Sequence, residues 1–538
     1  KKREVSQYLR SVLALLAGLL SAYITLSPTF ALPLPFSFSY IETPYLFIFS
    51  LIAVLIFCML ISLELIAAGF FRLFTGHPTQ YSLVSLSTLA SLIHAFTIIV
   101  FPKWGGYIPF SSLSCILIFF MLFSSAQKKG ALRRSIKAQT LSSEPISVKT
   151  EKRNAKKICA YREYGKNSDL FTNALKATDP VERFSALYAP CAIVASVVFA
   201  AVATAGQGRP ELFFWAFSGI ITVATPWGLF IAYSAPAKTI SKKLLTFGAG
   251  ISGWDFVRDI SQCRYTVLTD SDIYPPQNIR ITGVKVFEPY NTEKVLYYAG
   301  SVIAESETGL KKVFLDLMRE QYIKQGNVSE LKFFDSGGIS ADVNGDHILI
   351  GSPMFLLRMG VRIGEGVRIK NGVFVAVNVS LAGIFAMKYE ASETVQSAFR
   401  LLRRFKVSPI AAVRDFNLTP GLLENKFKLK SQWFEYPEIN DRLLLSEPLI
   451  GDGSNAAAVM TRDGIVPLSE CLAAGKKFYR AVRSNIVVGA LSGVIGMLLM
   501  FFLAFRAAVT AATPYNTGIY LFLWLIPIML TSFGSSRY

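Results

Sequence analysis

The 538-residue sequence is short of charge. Asp, Glu, Lys and Arg make up 17% of it, while 52% is hydrophobic and the mean hydropathy is +0.42. An average soluble chain carries roughly a quarter charged residues, so the deficit excludes an ordinary water-exposed globule. Cysteines are few as well. The six, at 58, 115, 159, 191, 263 and 471, show no CxxC spacing. That argues against a disulfide framework or a thiolate cage and fits a reducing compartment. The three histidines (77, 94 and 347) are too dispersed for a histidine metal site. Acidic residues number 36 against 55 Lys and Arg, a net charge of +19. No RNA- or DNA-binding motif accompanies this surplus, so nucleic acid is not an expected partner.

What is present is a set of long uncharged apolar runs, which predict helices in a lipid bilayer. Eight spans are expected, near 11–31, 46–70, 82–101, 108–126, 187–207, 212–234, 485–505 and 518–536. The first follows a basic Lys1-Lys2-Arg3 start, and the 31–41 stretch offers Pro and Phe instead of a small-residue cleavage site. A retained helix is therefore expected. Loop 127–186 carries 14 Lys/Arg against 6 Asp/Glu, which predicts a cytoplasmic side shared with both termini. Glu64 and His94 are titratable residues within spans. Glu64 falls near the cytoplasmic end of its helix, and His94 is expected to make a helix-to-helix hydrogen bond.

Between the sixth and seventh spans, residues 237–482 alternate strand-like and helical segments, the pattern of a parallel α/β fold. Strand-like runs include Tyr265–Thr269, Ile348–Ile350, Val373–Val377 and Pro409–Val413. Amphipathic helices are expected near 293–304, 309–324 and 392–405. The resulting organisation has four N-terminal spans (1–126), a basic loop (127–186) and two core spans with Pro226 (187–236). An α/β domain follows in two parts (237–287 and 389–482), with an inserted α+β subdomain (288–388) between them. Two last spans (483–538) close the chain.

Several segments share one likeness. Asp179-Pro-Val-Glu-Arg-Phe-Ser-Ala-Leu-Tyr188 precedes a core span, and Ala224-Thr-Pro-Trp-Gly-Leu229 puts a proline inside one. Asn344-Gly-Asp-His-Ile-Leu-Ile-Gly-Ser352 reads as a hairpin, and Gly451-Asp-Gly-Ser-Asn455 follows a strand. In this order they resemble the heavy-metal-transporting branch of the P-type ATPase superfamily. The resemblance covers nearly the whole chain. It implies a multi-pass α-helical membrane protein with about eight transmembrane helices. Its cytoplasmic α/β domain would be haloacid-dehalogenase-like (Rossmannoid) and carry an inserted nucleotide-binding-like subdomain.

Such a pump needs a carboxylate that attacks the γ-phosphate of ATP, with Mg²⁺ and a lysine neutralising the transferring charge. The resemblance places the nucleophile at Asp270, but Ser271-Asp-Ile-Tyr-Pro275 follows where the family has Lys-Thr-Gly-Thr. Its Thr-Gly-Asp looks like Val413-Arg414-Asp415, and its phosphate-binding lysine falls near Asn440. Asp452 matches the first magnesium carboxylate, so Asp270 and Asp452 are the implied metal ligands; Ala456 replaces the second carboxylate. The adenine-contacting His-Pro looks like Thr308-Gly309. Gly337, Gly338 and the hairpin's Gly351 are the implied nucleotide contacts. In the membrane the family's Cys-Pro-Cys looks like Thr225-Pro226-Trp227, which removes both soft ligands, and its Tyr-Asn falls on Ser492-Gly493. Pro226 would still break the helix and free backbone carbonyls. The actuator domain has no counterpart beyond Ser142-Ser143-Glu144 in a loop too short to hold it. The domain is expected to be lost or reduced to a strand pair, a remnant of the actuator.

Three functions follow from this pattern. The leading expectation is a pseudo-ATPase with a regulatory or scaffold role, meeting a nucleotide or another membrane protein in the plasma membrane of a prokaryote. The second is a divergent cation pump phosphorylated on Asp270, with Mg²⁺ and ATP as cofactors. The third is a phosphohydrolase in which Asp270 attacks and Asp272 serves as acid/base, the Asp-x-Asp arrangement of haloacid-dehalogenase-type phosphatases. Arg414 and Arg442 are the candidate substitutes for the missing lysine.

Overall fold

The computed structural model describes residues 2–30, 32–33, 43–101, 107–154, 157–165, 179–364, 371–451 and 456–537. Among them, eight helices are long and apolar enough to cross a membrane. Two of the expected spans are broken. The second divides at Ser62 into Pro44–Ile61 and Leu63–Phe74, and the Ser62 hydroxyl donates to the Cys58 carbonyl at 2.8 Å. The sixth divides at Ala224–Pro226 into Phe213–Val223 and Trp227–Thr246, because proline has no N–H to continue the first helix.

Two helices run far beyond the hydrocarbon. Ile465–Phe505 has 41 residues, or about 60 Å at 1.5 Å per residue, twice the bilayer core. Ser111–Thr140 likewise continues past its apolar half, so the basic loop expected from 127 begins as helix. Where this helix leaves the apolar zone, Lys128 pairs with Asp179 and lies 3.8 Å from Glu182. Asp179 is also the N-cap of Pro180–Ala205, accepting the Glu182 N–H at 2.7 Å.

Thirteen strands are described: β1 (Ile146–Asn154), β2 (Lys157–Tyr164), β3 (Ala249–Ile251), β4 (Tyr265–Leu268), β5 (Ile279–Val286), β6 (Val328–Phe334) and β7 (Gly338–Val343), followed by β8 (Asp346–Gly351), β9 (Gly372–Val377), β10 (Ser380–Tyr389), β11 (Ser408–Ala411), β12 (Leu449–Ile450) and β13 (Ala458–Met460). They form two sheets. The first has the order β11-β4-β2-β1-β13-β3, with β12 also on β2.

This sheet is not the parallel one expected. β11, β4, β2 and β12 run parallel, but β1, β13 and β3 pair antiparallel. The cause is the segment after the fourth membrane helix. Its two strands, β1 and β2, form a hairpin that enters the sheet beside β4. A tight hairpin can only be antiparallel, so the strand direction changes there.

The second sheet, β5-β10-β9-β8-β7-β6, is antiparallel throughout. It begins with β5 at Ile279, earlier than the subdomain start expected at 288. Helices Thr292–Glu305 and Lys311–Glu320 cover it, burying Val295, Ala299, Val302 and Phe314; the Phe314 and Phe385 rings meet edge-on at 5.1 Å.

The glycines of this sheet are packing residues. A Cβ on Gly338 would lie 2.0 Å from the Phe355 ring, and one on Gly351 would lie 2.6 Å from the Gly337 carbonyl oxygen. Gly338→Ala should therefore destabilise the subdomain by about 1–3 kcal/mol, the usual range for overpacking. Limited proteolysis of the full chain should show faster cleavage between β5 and β10. An unchanged cleavage rate would mean that Phe355 yields freely.

Candidate functional site

Asp270 follows β4 as the first residue of a single helical turn, Asp270–Ile273, capped by Thr269. The turn aims the carboxylate at the loop after β11. There Arg414 N–H donates to Oδ2 and Asp415 N–H to Oδ1, each at 3.0 Å. These amides partly offset burial, which is the larger effect and pushes the Asp270 carboxyl above its ordinary range.

Asp415 is fully buried and lies beside Asp270. Its Oδ2 accepts the Tyr389 hydroxyl at 2.6 Å, and its Oδ1 accepts the Asn417 N–H at 2.9 Å. Burial first, and the neighbouring Asp270 charge second, push its carboxyl up to about 7.

Asp272 lies in a different environment. One oxygen accepts the Thr269 N–H at 2.8 Å, so it closes the capping box of its own turn. The other accepts Arg162 Nη1 at 2.8 Å, and Arg162 Nη2 also reaches the carboxylate. Arg162 comes from β2 and holds Asp463 as well. The side chains of Arg162 and Asp272 are 5% and 0% exposed, so neither charge has water as a substitute partner.

The strand before Gly451 also borders this site. β12, which leads into Gly451, pairs with β2 on the edge that also carries β4, beyond the end of that strand, and its Leu449 lines one cavity with Asp270. Gly451 donates its N–H to the Tyr164 carbonyl at 3.0 Å, and a Cβ there would meet the Glu163 carboxylate. Asp452 itself lies outside the described residues. Ala456 is buried and carries no ligand.

Asp270 lines a cavity of about 760 Å³ with Arg162, Thr308, Lys311, Lys312 and Arg414, a volume adequate for a small ligand. Of the two candidate arginines, Arg414 is the one that reaches this cavity; its Nε donates to Ser446 Oγ at 2.7 Å. Arg442 is engaged elsewhere, donating to the Val413 carbonyl at 3.1 Å and the Tyr436 hydroxyl at 2.8 Å, 3.8 Å from Asp335. Asn440 is exposed.

The inserted subdomain sits down on this cleft. A Cβ on Gly309 would be 2.7 Å from Asp270 Cβ, and Ile439 N–H donates to Asp335 at 2.8 Å. Gly337, at φ +86°, occupies the β6–β7 turn near the Phe416 carbonyl. Gly337 and Gly338 line a separate cavity of only about 170 Å³.

Among the described residues no cluster of three or more metal-capable side chains exists. The Thr308-Gly309 turn, implied at the adenine, packs directly on Asp270, where a triphosphate would have to separate the two.

In the membrane, Thr225 Oγ1 donates back to the Ile221 carbonyl at 2.8 Å. Pro226 frees the Ala224 carbonyl, but the Tyr188 hydroxyl donates to it at 2.8 Å. Gly493 makes room for that hydroxyl, since a Cβ would lie 2.1 Å from it. The Tyr520 hydroxyl donates to the Ser492 carbonyl at 2.6 Å. These three carbonyls are thus occupied by protein donors. His94 Nδ1 is buried without a partner among the described residues.

Arg162, Tyr389 and Tyr188 were not singled out in the sequence. The first had a weak signal: a charged residue at a buried position of the β-rich run Lys157–Tyr164.

Two outcomes follow. Arg162→Leu should destabilise the protein by about 3–5 kcal/mol, because it strands the buried Asp272 charge, and Arg162→Leu/Asp272→Leu should recover much of the loss. Thermal unfolding in detergent checks this; equal losses in the single and double variants would contradict it. Asp415 should make stability depend on pH. Its folded pKa lies above the unfolded one, so the folded state binds more protons between about pH 4 and 7 and stability falls as pH rises through that window. Melting curves should show this slope flattened in Asp415→Asn, and an identical slope would discount Asp415 as its source.

No family model and no curated protein matches the chain. Solved structures do. A crystal structure of a zinc-transporting PIB-type ATPase aligns over 99% of this chain and 100% of that chain, with TM-score 0.51 and 12% identity. A second crystal structure of a zinc-transporting PIB-type ATPase, in a different state, covers 95% and 99% at TM-score 0.45 and 13% identity. A catalytic CPx-ATPase domain covers 44% and 97% at TM-score 0.23 and 14% identity. This chain has the fold of a heavy-metal P-type ATPase.

Proposed function

We propose that this protein uses a P-type ATPase fold without its ATP-driven cycle, as a regulatory or scaffold component of the membrane. The observation that carries the reading is the β1–β2 hairpin. It takes a fixed place in the sheet beside the Asp270 strand, and its Arg162 holds Asp272. A phosphorylation cycle needs magnesium between carboxylates and a domain free to move; the hairpin is fixed into the sheet by hydrogen bonds on both edges. Losses of transition-state donors of this kind cost about two to three orders of magnitude each.

The positive-inside count supports a cytoplasmic side for both termini and the α/β insert. The docking partner is then a second membrane protein or a cytoplasmic ligand of the 760 Å³ cavity.

Arg414 favours a second reading. A fixed guanidinium lining the cavity beside Asp270 can hold a phosphate, which supports hydrolysis of a phosphate ester with Asp270 as nucleophile. Asp272, held by Arg162, is poorly placed as its acid/base.

The test is incubation of the purified, detergent-solubilised protein with γ-labelled ATP and Mg²⁺, beside Asp270→Asn. The expected result is no acid-stable, hydroxylamine-sensitive label at concentrations where a working pump labels readily. Label that vanishes in Asp270→Asn would overturn the reading and return the pump hypothesis. Release of phosphate from a generic phosphate ester, lost in Asp270→Asn, would favour the second reading.

A further inference from the structure

The break at Ser62 marks a level in the membrane. Leu63–Phe74 is amphipathic, with Leu63, Phe71 and Phe74 exposed and Arg72 in its last turn, the character of a helix lying in the interface. Beside the break, Arg10, Leu13, Leu60, Ile61, Leu63 and Glu64 line an outward-facing groove of about 360 Å³.

The groove has one charge of each sign. Arg10 Nη1 lies 3.8 Å from Glu64, too far for a hydrogen bond. The two side chains are 44% and 76% exposed, and neither has another partner among the described residues. In water such a pair contributes little. At the edge of a bilayer, both groups have strong unused hydrogen-bonding capacity above an apolar wall of Leu13, Leu60 and Leu63.

From this we infer that the groove binds a phospholipid with a zwitterionic, hydrogen-bond-donating headgroup, namely phosphatidylethanolamine. The guanidinium takes the phosphate through its fork of donors. The ammonium donates to Glu64, which a choline headgroup has no N–H to do. The acyl chain follows the exposed leucines. An anionic headgroup would satisfy Arg10 and repel Glu64, so the charge pattern selects against it.

The experiment is native mass spectrometry of the full chain in detergent, with phosphatidylethanolamine, phosphatidylcholine and phosphatidylglycerol of identical acyl chains added singly. Wild type should retain phosphatidylethanolamine about fivefold better than phosphatidylcholine, the ratio expected for one exposed charged contact of about 1 kcal/mol. Glu64→Gln should abolish that ratio, and Arg10→Gln should lower retention of both. Both side chains are exposed, and unchanged melting midpoints would show that the variants fold. Equal retention of the ethanolamine and choline lipids by wild type would overturn the assignment. So would a preference that survives both substitutions, or an Arg10-dependent preference for phosphatidylglycerol that ignores Glu64.

Discussion

The Arg162–Asp272 ion pair is the constraint around which the cytoplasmic domain is arranged. Among the described residues, two charges with 5% and 0% side-chain exposure have each other, Thr269 and Asp463 as partners. Separating them would leave a buried charge uncompensated, which is among the costliest things a fold can do. The pair therefore ties β2 to the turn that carries Asp270. One arginine on one strand thus stabilises the sheet and takes a carboxylate out of circulation.

The membrane half follows the same logic with neutral groups. Pro226 breaks a helix and frees a carbonyl, and in lipid an unsatisfied carbonyl is expensive. Tyr188 satisfies it, and Gly493 supplies the space for Tyr188. Asn485 similarly joins three helices through the Ala232 carbonyl and Ser532. Polar side chains here knit helices together, and the break at Pro226 persists around filled hydrogen bonds.

Much of the fold was legible because it rests on strong periodic signals. The apolar runs gave eight spans, and the Thr266–Leu268 strand delivering Asp270 stood out by its β-branched run and the turn after it. The glycines at 338 and 351 were visible too, but their reason was not. A glycine required by Phe355 packing and one required by a nucleotide look the same in one dimension. The hairpin was missed as a sheet component because pairing β2 with β4 joins residues about a hundred positions apart, and local pattern carries no register across such a distance. For that reason Arg162 looked like one more basic residue in a basic loop. The break at Ser62 was hidden because its serine sits within an otherwise continuous apolar run.

The central claim is that the hairpin is a fixed part of the sheet and not a moving domain. Spin labels on exposed Glu151 of β1 and exposed Lys426, in a background where the exposed Cys191 is replaced, would measure it by double electron–electron resonance. A fixed hairpin predicts one narrow distance distribution, the same without nucleotide, with Mg–ATP and with Mg and aluminium fluoride. A distribution that shifts or splits with any of these would show that the hairpin moves in a cycle, and would contradict the claim.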